Sequence, residues 1–212
     1  MRRTAQGFTL IEIMVVIAII AGLVTTVAVI VPRMQESQKK LGCQNNLSQL
    51  GQIFLLENQQ NPSKAQKYSG VALWLSYRKG SSQIQGGNER VFCCPGDPQV
   101  PIPETDDDRK KYDNVDLSNP PDNLCSYAAR DFQNFPLNVE AKNTQMIGCD
   151  RQGPNQHSMH HKGVIMCFFE GGDVKPLSRE ELGLNSEADI KIGPEAENAD
   201  LRSMVYVVRK KD

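Results

Sequence analysis

The sequence holds no block of five like charges and no basic stripe; 24 Lys+Arg against 25 Asp+Glu leave a formal net charge of −1. That balance lacks the electrostatic footprint of a nucleic-acid-binding protein, so no nucleic acid is expected as a partner. There is no G-x-S-x-G elbow, no H-E-x-x-H and no glycine-rich phosphate loop. Ser158 lies beside His157 and His160, but chain neighbours rarely hold triad geometry. No enzyme is expected. Aromatics are few at 6%, while 16 glycines and 12 prolines point to a loop-rich body instead of a dense sheet sandwich.

Ionisable residues are also scarce near the start. From Phe8 to Val31 there are 24 residues, and Glu12 is the one charge among them. A helix of that length reaches about 36 Å, enough to cross a hydrocarbon core of about 30 Å. A secretory signal peptide would have a shorter apolar region closed by a small-residue A-x-A-like site. This run has neither feature, so it is expected to remain in the protein. Glu12 has a local explanation: Thr9-x-x-Glu12 reads as a capping box at the helix start. A charged carboxylate deeper in a bilayer costs about 2.5–3.5 kcal/mol and is usually functional.

The segment Gly7-Phe8-Thr9-Leu10-Ile11-Glu12, behind a short basic leader and ahead of an unbroken apolar helix, resembles the prepilin motif of type IV pilins and type II secretion pseudopilins. The resemblance implies that residues 1–7 are a leader removed by a prepilin peptidase, which methylates the new amino terminus at Phe8. It also implies that Glu12 contacts the terminal amine of a neighbouring subunit. The chemistry is consistent: losing Arg2 and Arg3 takes the formal charge from −1 to −3 and sets an ammonium four residues from a carboxylate. Paired across subunits in an apolar bundle, the two ions neutralise each other; alone, each opposes assembly.

The implied partners are other pilin or pseudopilin subunits, the prepilin peptidase, an inner-membrane assembly platform and the membrane itself. The charges flanking the run (Arg2 and Arg3; Arg33, Lys39 and Lys40) do not fix topology. The resemblance does: a single pass through the bacterial inner membrane, with the C-terminal head in the periplasm or an extracellular filament. The motif is shared by secretion pseudopili, surface pili and DNA-uptake filaments. The other reading is a single-span, envelope-anchored binding module that does not polymerise.

The expected fold is α+β, a long N-terminal helix packed against a small, loop-rich antiparallel sheet. Residues 8–31 form the assembly helix, 32–58 its periplasmic half and 59–212 the head. Cys43, Leu47, Leu50 and Phe54 make an apolar stripe that should pack on the head. Pro32 bends the helix or marks a short break. The helix should end near Asn58, ahead of Asn61-Pro62. A short helix is expected at Val71–Tyr77, and a long surface loop over the proline-rich residues 95–123. Strands are expected at Thr144–Cys149, Val164–Phe169 and Met204–Arg209, with Gly171-Gly172 turning into Asp173-Val174-Lys175. Ser178-x-x-Glu181 should cap a short helix reaching Leu184.

The head segments Cys43–Gly51, Phe92-Cys-Cys-Pro-Gly-Asp97, Ser126-Tyr127-Ala128 and Val164–Leu177 also resemble a broad pseudopilin-like family. There, a histidine and glycine precede a strand ending in Asp-Gly-His-Val. Here the turn is Glu170-Gly-Gly-Asp-Val174, which lacks that later histidine, so no role of it carries over.

Six cysteines (Cys43, Cys93, Cys94, Cys125, Cys149 and Cys167) in an exported head read as candidate disulfides, with about fifteen full pairings open. Adjacent cysteines seldom bridge, so Cys93 and Cys94 should have different partners. Zinc is the competing reading: Cys93, Cys94 and Cys149 with His157, His160 and His161 offer suitable atoms but no C-x-x-C spacing. Asp97 and Asp106–Asp108 lack an Asp-x-Asp-x-Asp-Gly calcium frame, and the acidic run reads as solvated surface. No metal and no cofactor are expected.

Overall fold

Helix α1 runs from Leu10 to Gln60 and passes through Pro32 without ending. In the computed structural model, residues 9–80, 84, 88–121, 123–138, 140–141, 144–150, 161, 163–184 and 190–205 are described. The chain divides into two units, Met1–Gln38 and Lys39–Asp212. In the first, apolar side chains on every side of α1 are exposed, Leu10, Ile11, Ile17 and Leu23 among them. A helix apolar all round calls for a membrane or a bundle of its own kind. Among the described residues, α1 is the helix long and apolar enough to cross a membrane. Its hydroxyls are satisfied within it: Thr25 donates to the Ala21 carbonyl at 2.8 Å and Thr26 to Gly22 at 2.7 Å.

The second unit opens on the last turns of α1, and here the expected stripe is inward: Cys43, Leu47, Leu50 and Phe54 are fully buried. The helix ends at Gln60, two residues past the expected Asn58, because Asn61 caps the next helix, α2 (Pro62–Ala65). Helix α3 (Val71–Gly80) carries Trp74, whose indole N–H donates to the Ala128 carbonyl at 3.1 Å. A 3-10 turn (Glu89–Phe92) follows, then α4 (Asp106–Lys110).

Five antiparallel strands make the sheet: β1 (Tyr127–Arg130), β2 (Met146–Asp150), β3 (Val164–Phe169), β4 (Val174–Ser178) and β5 (Met204–Val205), in the order β4-β3-β2-β1-β5. One face packs on α1 and α3 through Tyr127, Ala129, Ile147, Met166 and Phe168. The other is covered by Leu182, Leu184, Ile190, Ile192 and Leu201, the last on α5 (Ala199–Arg202). The fold is α+β, as expected. Where α1 crosses β3, Gly51 lies against the ring of Phe168, and a Cβ there would sit 2.5 Å from Cδ2.

Three local expectations need correction. Residues 95–123 are not simply a surface loop: Val100, Tyr112 and Val115 are buried, and α4 lies among them. Ser178 and Glu181 do exchange capping hydrogen bonds, at 2.7 and 3.3 Å, but they close a turn and not a helix, since Gly183 takes a left-handed φ of 70°. The final strand is described at Met204–Val205, and the rest of the expected Met204–Arg209 lies outside the described residues.

Candidate functional site

Gly7 and Phe8 lie outside the described residues. Just after them, the helix start is a reciprocal cap. The Thr9 backbone N–H and hydroxyl both donate to Glu12 Oε2 at 2.8 Å, and the Glu12 N–H donates to Thr9 Oγ1 at 3.3 Å. Two backbone donors that the helix leaves without partners, the N–H groups of Thr9 and Glu12, are thereby answered reciprocally by the side chains of Glu12 and Thr9.

A second constellation lies within the head, where Cys43, Cys94, Asp150 and His161 meet. All four are buried, and one ligand-type atom from each lies within 4.8 Å of all the others. Cys43 Sγ donates to Asp150 Oδ1 at 2.6 Å, Cys94 Sγ is 3.3 Å from His161 Nε2, and that nitrogen is 3.9 Å from Asp150 Oδ2.

Each residue arrives on a different element. Cys43 begins the buried stripe of α1. Cys94 follows the 3-10 turn, and α1 holds that segment through Asn46, whose Nδ2 donates to the Cys93 carbonyl at 2.8 Å. The approach is close: a Cβ on Gly42 would lie 2.8 Å from Pro95 Cγ, so a larger residue there would push the cysteine loop away. Asp150 ends β2 opposite Tyr127 of β1. Cross-strand partners share a face, so its carboxylate points to the α1 side. His161 bridges to Val164, immediately before β3.

Three further contacts organise the cluster. Gly96 N–H donates to Cys94 Sγ at 3.3 Å, Met166 N–H to Asp150 Oδ2 at 3.0 Å, and Tyr127 Oη to the Cys43 carbonyl at 3.5 Å. Burial, then the neighbouring Cys94 and Asp150, push the Cys43 thiol well above its ordinary range. Two sulfurs, an imidazole nitrogen and a carboxylate oxygen are donors of the kind that hold a transition metal.

The structure holds all six cysteines as buried thiols. Neither Cys93 nor Cys94 is bridged, and the two thiols face different neighbours: Cys93 Sγ lies 3.7 Å from Tyr112 Oη, away from the cluster. Cys149 and Cys167 stand opposite each other on β2 and β3, on the face away from α1. Cys125 Sγ contacts the Tyr127 carbonyl at 3.7 Å. Of the zinc candidates that the sequence offers, Cys94 and His161 belong to the cluster; Cys93 and Cys149 do not. His157 and His160 lie outside the described residues. Cys43 and Asp150 were not joined to this chemistry from the sequence, because helix periodicity explained the first and nothing local marked the second.

The acidic run lies at the surface, as expected, and its members are paired along one helical turn. Asp106, Asp107 and Asp108 pair with Arg109, Lys110 and Lys111 at 2.9, 2.9 and 2.7 Å.

In comparison with known proteins, residues 2–28 match the family model of the prokaryotic N-terminal methylation motif. No curated protein and no solved structure matches the chain.

Proposed function

We infer that this chain, type IV pilin- or pseudopilin-like by its methylation motif, is a structural subunit of a periplasmic or surface filament, processed after Gly7 and assembled through its N-terminal helix. As a pseudopilin or minor pilin it works by position. The apolar helix first resides in the inner membrane and then packs among the helices of neighbouring subunits, while the head stands outside the cytoplasm.

The observation that carries this reading is the apolar, outward-facing surface of α1 between Leu10 and Val31, interrupted by a single acid whose neighbours suit it for pairing. In water such a surface is untenable; bilayer and helix bundle are the two environments that cover it. Glu12 offers Oε2 to Thr9, and its other oxygen suits the methylated ammonium of Phe8 on an adjoining subunit. Cap and subunit contact are then compatible. An unpaired carboxylate in the bundle would cost about 2.5–3.5 kcal/mol, enough to select against misregistered neighbours.

Expression with and without a prepilin peptidase tests the processing step by intact mass. The peptidase should remove the first seven residues and add a methyl group at Phe8; a mature protein still beginning at Met1 refutes the reading. Glu12→Ala should leave cleavage intact and lower incorporation into filaments. If incorporation is unchanged while head substitutions abolish function, the chain is an anchored binding module.

A further inference from the structure

We propose that Cys43, Cys94, Asp150 and His161 form a buried zinc site that fastens α1 to the sheet of the head.

The composition of the cluster is the first argument. Two thiols, a carboxylate and an imidazole converge where their exposure is 0%, 1%, 3% and 0%. Polar groups taken from water into an apolar core are unfavourable unless hydrogen-bonded, and acidic ones doubly so unless a cation is present. With both sulfurs as thiolates and a neutral imidazole, a divalent ion reduces a local charge of about −3 to about −1.

Geometry is the second. Ligand atoms about 2.0–2.3 Å from a tetrahedral zinc lie about 3.3–3.8 Å from one another. The separations in the structure are 3.3 Å for Cys94 Sγ to His161 Nε2 and 3.9 Å for His161 Nε2 to Asp150 Oδ2. Cys43 Sγ to Asp150 Oδ1 is shorter, at 2.6 Å. A modest rotation of either side chain admits the ion, because all four atoms already sit within 4.8 Å.

Outer contacts are the third argument. The Gly96 N–H aimed at Cys94 Sγ and the Met166 N–H aimed at Asp150 Oδ2 are fixed backbone donors. Such donors orient metal ligands and spread the residual negative charge. The Cys94-Pro95-Gly96 turn supplies one of them because the amide two residues on folds back over the sulfur.

The site has a structural character. Four protein ligands close the coordination shell, and burial leaves no position for a substrate. Its ligands come from α1, the segment after the 3-10 turn, the end of β2 and the segment before β3. One ion therefore crosslinks four stretches that are far apart in sequence, in a loop-rich head whose helices other than α1 are short. This inference concerns the head and does not depend on whether α1 enters a filament.

The test uses the full mature chain purified in detergent without chelator, under reducing conditions, and loaded with zinc before dialysis. Elemental analysis should find about one zinc per chain. Cys43→Ser and Asp150→Asn should each remove most of it, whereas Cys149→Ser should leave it in place. Should the ligand variants fail to fold, cobalt substitution of the unmodified chain decides: a tetrahedral visible spectrum with sulfur-to-cobalt charge transfer supports the site. Absence of retained metal above background in the folded, unmodified chain overturns the proposal. So does peptide mapping that finds Cys43 bridged to Cys94 in protein isolated directly from the envelope.

Discussion

Gly51→Ala is a demanding test of how α1 seats on the sheet. On an exposed helix this change would stabilise by about 1 kcal/mol, since alanine has the better helix propensity. Here the added methyl would overlap Phe168 at Cε2 and Cζ and lie 2.5 Å from Cδ2, against about 3.5–4.0 Å for relaxed carbon contact. The ring must withdraw by about 1 Å, but it is fully buried within the core that includes Leu47, Leu50 and Phe54. Overpacking of this kind costs about 1–3 kcal/mol. After the propensity gain, a net loss of up to about 2 kcal/mol is expected, lowering Tm by up to about 8 °C in a domain of this size. The single tryptophan, Trp74, is buried in the same core, so its fluorescence during urea unfolding of the full chain in detergent reports the loss directly. Phe168→Leu vacates the space, and the double variant should recover about 1 kcal/mol relative to the sum of the single changes. A Gly51→Ala chain more stable than the parent would refute the close seating of α1 on β3.

Two further predictions concern the polar scaffold. Arg130 is buried and donates to the carbonyls of Phe135 at 2.7 Å and Met146 at 3.1 Å, so Arg130→Lys, which keeps the charge but loses the fork, should destabilise by about 2–3 kcal/mol in the same urea assay; a loss below about 0.5 kcal/mol would contradict that role. Lys111 first, then Thr105, hold the Asp108 carboxyl well below the usual carboxylate range. Because the folded value is depressed, its contribution is present above the ordinary carboxylate range and is lost as pH falls through the folded value. Carboxyl NMR titration should show Lys111→Met raising the Asp108 midpoint more than Thr105→Val does; the reverse order would refute the assignment of cause.

How far the sequence can be read depends on whether a feature leaves a local period. The membrane half of α1 is legible because one acid stands in 24 residues, and its head half because Cys43, Leu47, Leu50 and Phe54 recur at helical spacing. The β3–β4 hairpin is legible because Gly171-Gly172 punctuates two runs with strand character. By contrast β1, Tyr-Ala-Ala-Arg, is short and buried on both faces, so it shows no alternation and little β propensity. The helical turn of α4 is concealed by its charges, which look like surface until Thr105 and Asp108 are seen to cap it. Residues 43, 94, 150 and 161 share no spacing rule, because the elements that carry them are brought together by tertiary packing alone.

Asp150 shows how such a site can arise without any local signal. Strand β2 shifts register between Met146 and Gly148, where two steps on β2 oppose one on β3, from Phe169 to Phe168. Side chains alternate faces along a strand, so an extra residue reverses every face that follows. Met146, before the shift, packs on the face away from α1; with strict alternation Asp150 would lie there too. After the shift, Cys149 takes that face instead, and Asp150 turns toward Cys43 and His161. An acid facing away from α1 would be stranded among Leu182, Ile190 and Leu201 with no cysteine–histidine group to meet it. The bulge in β2 is thus what aims the carboxylate, and the glycine at 148 permits it where Trp74 leaves no room for a side chain.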